Sequence, residues 1–256
     1  MTDRPRAATR SDNDRLWKRG LGWKTHTILV RPAVLDGGPE KLLGDLGYDK
    51  VRKVSDTPID GALQGSIWIG MVDDCAIIYS PLAGYFFAGE GDEENQEFEV
   101  FRNALLRRFS EADIAVLSLH SVVGHWGFAI FHRGTLIRRQ HGYDGMVIAD
   151  EGARLPVEEA YLSKFDRHDV DGVTRYRDPR HPEYGDMGDP DFGEELVFEI
   201  CRSFIGFPLD RLQADGTNFW LNDDEEEFLR AEANIVRAPK RADGVPGSRP
   251  WWKFWS

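Results

Sequence analysis

The chain lacks most of what usually announces a function. It has two cysteines, Cys75 and Cys201, far apart and in apolar contexts. They read as buried free thiols and not as a disulfide framework. No apolar run approaches the roughly 18 residues of a membrane span, and the mean hydropathy is −0.46, so no stable membrane insertion is expected. The N-terminal residues 1–15 are polar and basic with no apolar stretch behind them. That is not a secretory signal, and a cytoplasmic setting is the expectation. A basic excess is missing too: the formal net charge is −12, which argues against nucleic acid as a partner. There is no G-x-S-x-G elbow, H-E-x-x-H, calcium-loop register, G-x-x-x-x-G-K-[ST] or G-x-G-x-x-G. The common nucleophile, metal and phosphate-cradle signatures are therefore absent, and no cofactor is expected.

What is present is core material. At 41% hydrophobic and 12% aromatic residues, the chain can bury a sizeable interior. It reads as a disordered arm over 1–20, a single α+β domain over 21–235, a linker over 236–250 and an aromatic C-terminal tail over 251–256. The stretch from Ile114 to Glu159 organises it. Ile114 to Val123 is apolar enough for a buried central strand. Trp126 to Phe131 and Leu136 to Gln140 flank a Gly-containing turn as a hairpin, and Met146 to Ala149 follows the turn Gly142 to Gly145.

Upstream, Thr25 to Arg31 reads as a strand stopped by Pro32, Pro39 to Leu46 as a short helix and Lys50 to Val54 as a short strand. Ser66 to Val72 and Cys75 to Tyr79 form a second hairpin around Asp73-Asp74. Asp92 to Phe109 and Phe192 to Phe204 are the clearest helices. Phe98, Phe101, Leu105 and Phe109 share one face of the first; Phe192, Leu196, Ile200 and Phe204 share one face of the second. Asp166 to Asp191 is polar and reads as a surface excursion with little regular structure. Asp223 to Ala233 reads as a short acidic helix.

The architecture expected from these pieces is α+β. Its sheet is mixed, mainly antiparallel and built from hairpins, with two main helices packed on it. Val116, Trp126, Phe128, Ile130, Phe101, Leu105, Leu196 and Ile200 are the expected core.

Candidate chemistry gathers after the central strand. His120, Ser121 and His125, with Asp144 or Glu151, supply the residue types of a nucleophile, a base and an orienting acid. Ordinary strand-end hydrogen bonding accounts for the same residues. Asp166, His168, Asp169 and Asp171, and again Asp186, Asp189 and Asp191, are dense in oxygen and imidazole but match no spaced metal pattern. Gly152, between two bends, is expected in a conformation closed to other residues. The tail carries Trp251, Trp252, Phe254 and Trp255 behind a basic linker. Such side chains suit a protein partner or self-association.

Trp126 to Ala129, Gly134 to Arg138, Asp144-Gly145, Asp150 to Gly152, Leu155-Pro156, Glu158-Glu159, Gly193 to Ile200 and Gly206 to Asp210 run in a familiar order. Over roughly 114–210 the chain resembles an uncharacterised family of stand-alone bacterial proteins, a domain of unknown function. The resemblance implies a fold and a bacterial cytosolic setting; it carries no known catalytic residue. Two function classes stay open. One is a non-enzymatic interaction module of immunity or regulatory type. The other is a hydrolase or metal-dependent enzyme using the His120 and His125 neighbourhood.

Overall fold

Strands of near-continuous Ile, Leu and Val can be satisfied only where both faces of a sheet are covered. The computed structural model, which describes residues 24–59, 62, 66–87, 96–120 and 123–221, has such a sheet. In chain order the elements are β1 (Lys24–Arg31), α1 (Gly38–Asp45), β2 (Arg52–Pro58), β3 (Ser66–Val72) and β4 (Cys75–Tyr79), then a 3₁₀ segment (Pro81–Phe87) and α2 (Gln96–Arg108). Four strands follow: β5 (Asp113–His120), β6 (His125–His132), β7 (Thr135–Tyr143) and β8 (Met146–Glu151). Then come α3 (Pro156–Leu162), β9 (Asp166–Val170), β10 (Val173–Arg177), α4 (Gly193–Ile205) and β11 (Asp215–Trp220). Nine strands make one sheet in the order β2-β11-β3-β4-β1-β5-β6-β7-β8, and every pairing in it is antiparallel. The fold is α+β, as the hairpin-rich sequence predicts.

Alternation along the strands feeds two cores. Ile28, Val30, Ile114, Val116, Ala129 and Phe131 face α1, α2 and the 3₁₀ segment on the first face. Leu29, Ala115, Leu117, Trp126, Phe128 and Ile130 face α3 and α4 on the second. All eight expected core residues are buried. Gly152 has φ +80°, and a Cβ there would run into the Ile137 carbonyl oxygen, so its role is backbone geometry. The turns Arg133-Gly134 and Asp144-Gly145 take positive φ at both residues, the twist-matched geometry of two-residue hairpins.

The structure departs from the sequence reading in places. Residues 166–191 hold a hairpin, β9–β10, around Asp171-Gly172, also at positive φ. Its strands are polar, so a pattern of apolar residues does not reveal them; the Asp-Gly turn does. Tyr176 from this hairpin is buried against Phe192 at 5.3 Å. β5 ends at His120, where it pairs with His125, instead of continuing to Val123. β7 runs on to Tyr143, so only Asp144-Gly145 remains as turn. Phe192 precedes α4 in a 3₁₀ turn but is buried all the same. The helix cap at Asp92, the 1–20 arm, the acidic helix at 223–233, the linker and the tail residues Trp251, Trp252, Phe254 and Trp255 lie outside the described residues. Among those described, no helix is long and apolar enough to cross a membrane.

Candidate functional site

On the first face the apolar rows give way to imidazole at one end of the sheet. Stepping by two along β1 leads from Val30 and Ile28 to His26; along β5, from Val116 to Ser118 and His120; along β6, from Ala129 to Gly127 and His125. Register then sets His26 beside Ser118, His120 beside His125, and His141 of β7 beside Gly127. Four histidines from four adjacent strands thus share one patch.

Ser118 is its hub. Its Oγ lies 3.0 Å from His26 Nδ1 and 2.9 Å from His125 Nε2. A hydroxyl has one proton, so it donates to one ring and accepts from the N–H of the other. The arrangement is a His–Ser–His hydrogen-bonded chain. The 3₁₀ segment roofs it. Phe87 stands 6.2 Å from the His125 ring and 5.7 Å from the His141 ring. Gly127 makes room for this, since a Cβ there would come within 3.0 Å of the Phe87 ring and 2.9 Å of His141 Cβ. Gly84 does the same over His26.

Burial sets the protonation. Desolvation, aided by His125 and His120, pushes His26 down to about 4. His125 is lowered by burial and then by His141 and His120. His141 is lowered by burial and then by Arg139, with Glu151 opposing. These rings are uncharged at neutral pH.

Of the five residues the sequence offers as catalytic, His120 and His125 are brought together, and Ser121 lies outside the described residues. Asp144 sits exposed in the β7–β8 turn, where its backbone N–H bonds to Gly124. The Glu151 carboxylate accepts from the Arg139 guanidinium. Ser118, which does hold the imidazoles, is fully buried, and a nucleophile must meet its substrate. A cleft of about 280 Å³ lies elsewhere, lined by Leu46, Gly47, Tyr48, Glu97 and Val100, none of them part of the cluster. His26, Ser118 and His141 escaped the sequence reading. The only available signal was strand alternation, and it becomes a cluster only once β1, β5, β6 and β7 are placed side by side.

The second acidic cluster is occupied by the chain itself. Asp186 pairs with Arg177 and His168, Asp189 with Arg154, and Asp191 accepts from the Gly188 N–H. Among the described residues no group of three or more His, Cys, Asp or Glu is placed to hold a metal ion.

On the opposite face of β7, Arg138 has a fully buried side chain. It donates to Glu158 at 2.8 and 3.0 Å and to Asp150. Glu158 also accepts from the Leu155 N–H at the start of α3. This is a closed network that fastens the β7–β8 hairpin to α3. Beyond it the hairpin is open. Tyr143 is 47% exposed, and Met146 and Ile148 are 56% exposed each. Val123 is exposed nearby, on the loop tied to the β7–β8 turn through Gly124 and Asp144.

Residues 40–183, more than half of the chain, match the model of a family described as "Family of unknown function (DUF6928)". The match takes in His120, His125, His141 and the whole β7–β8 hairpin, and leaves out His26. No curated protein and no solved structure matches the chain.

Proposed function

The chain belongs to this family of unknown function, DUF6928, and from that premise we propose that it is a protein-interaction module, of immunity or regulatory type, and not a hydrolase or a metal-dependent enzyme. The observation that carries the reading is the exposed apolar corner of β7–β8, with Tyr143, Met146 and Ile148 about half in water at the end of the sheet. Large apolar side chains clustered at a strand edge mark a contact surface. Against the alternative, chemistry at His120 and His125, stand the full burial of Ser118 and the Glu151 carboxylate held by Arg139. The aromatic tail, Trp251, Trp252, Phe254 and Trp255, belongs to the same proposal as a second contact element.

A photo-crosslinking residue placed at Met146, and in a separate variant at Lys53 on β2, tests this in the native host. The expected result is a discrete adduct from position 146, absent from position 53 and lost when Ile148→Lys is added. Equal labelling from both positions, or none from either, contradicts the reading.

A further inference from the structure

The sheet has two terminal strands, and they are built differently. β2 reads Arg52-Lys53-Val54-Ser55-Asp56-Thr57-Pro58. Charge and proline are the usual devices that keep an edge from recruiting another strand. β8 reads Met146-Val147-Ile148-Ala149-Asp150-Glu151. It has no lysine, arginine or proline, and its two most exposed apolar residues stand on the terminal strand itself.

From this contrast we infer that β8 is the seat of a two-fold interface between two copies of this chain, strand against strand. This rests on the interaction reading above and names its partner. Three features of β8 suit a second copy. Every strand pair in the sheet is already antiparallel, and a β8–β8 pair about a two-fold axis is antiparallel by symmetry. The strand's charges are settled within the chain, Asp150 by Arg138 and Glu151 by Arg139. Two copies can therefore meet without bringing unpaired carboxylates together, despite the net charge of −12.

The register is self-complementary as well. β7 and β8 shift register where His141 faces Ala149 and Gly142 faces Val147, leaving Ile148 as the extra residue of a bulge. Centring the axis on Ile148 sets Ile148 against Ile148 of the second copy and Val147 against Ala149. Asp150 falls opposite Met146 and Glu151 opposite Gly145, so no acid faces an acid. The bulge, which alone would blunt an edge, then puts an apolar side chain at the centre of the contact.

The test is the mass of the full chain by sedimentation over a dilution series. The chain should sediment at twice 29.1 kDa when concentrated. Ile148→Lys and, independently, Met146→Lys should return it to one chain mass, with unfolding temperatures close to the parent's in protein dilute enough for the parent to be a monomer. Lys53→Ala should leave the dimer intact. A parent that stays at one chain mass throughout overturns the inference, as does a dimer that survives both lysine variants. Loss of the dimer in a chain ending at Gly247 while Ile148→Lys remains dimeric assigns association to the tail and overturns it too. Failure of self-pairing is separable from failure of the interaction reading. A position-146 adduct with a mass other than twice the chain's leaves the latter standing and removes the former.

Discussion

The histidine cluster, which ends at His141 on β7, and the β8 edge beside it each have what the other lacks. The cluster has chemistry with little access: His26, His120 and His125 are half-buried, His141 and the hub Ser118 are buried, and Phe87 covers His125 and His141. The edge has access without chemistry: apolar side chains in water, and acids already paired to arginines. A catalytic site needs both in one place. Their separation is the reason to read the cluster as part of the scaffold and the edge as the working surface. β7 joins them, with His141 and Arg139 on the first face and Arg138 and Gln140 on the second.

The account can be broken first where it is most closed. Glu158→Ala leaves the Arg138 guanidinium buried with half its partners gone, and removes the acceptor at the start of α3. Stranding a buried charge costs about 3–5 kcal/mol, so urea unfolding should show a loss of that size. A loss under about 1 kcal/mol would mean that Asp150 and the nearby carbonyls suffice, and that the network is less closed than its geometry.

Acid comes next. His26 titrates near 4 in the folded chain, below its ordinary value of 6.5. The unfolded chain therefore binds the proton first as pH falls. Stability from this group is complete above about 6.5 and is lost between there and about 4, by roughly 3 kcal/mol at 1.36 kcal/mol per unit. His125 and His141 are shifted the same way and steepen the fall. Unfolding free energy measured across that window should drop with acid, and His26→Asn should flatten the slope. An unchanged slope would show that water reaches the ring.

Ser118→Ala removes the hydroxyl that two rings share. Buried groups left without a partner cost about 1–3 kcal/mol, and chemical denaturation should register that. Smallest of all is Ile148→Lys. At a half-exposed edge it should change the stability of one chain by no more than about 0.5 kcal/mol. The comparison holds if substitutions at the cluster change stability and substitutions at the edge change only association.

Much of the frame was legible in the sequence. The β6–β7 and β3–β4 hairpins, α2 and α4, Gly152 and the buried Phe128 follow from local pattern and turn chemistry. Less legible was whatever depends on pairing between distant segments. β11, from near the end of the described chain, inserts between β2 and β3. Its residues show an aromatic run but not its destination. His26 and His141 stand 115 positions apart in the numbering, and only the order β1-β5-β6-β7 brings them onto one face of the same sheet. The β9–β10 hairpin was missed because its strands are polar, with only Tyr176 buried deeply. The exposure of β8 was hidden for the opposite reason. Met146-Val147-Ile148-Ala149 looks like a core strand, and only its place at the end of the sheet puts it in water.

The most direct test of the working-surface claim is amide hydrogen exchange at β8, read against β2, in dilute and in concentrated protein. Main-chain groups on a terminal strand that recruits a partner gain protection as the partner binds. The account predicts slower exchange across Met146–Glu151 on concentration, with Arg52–Pro58 unchanged. Equal exchange in β8 at both concentrations, or protection that appears at β2 instead, would contradict it.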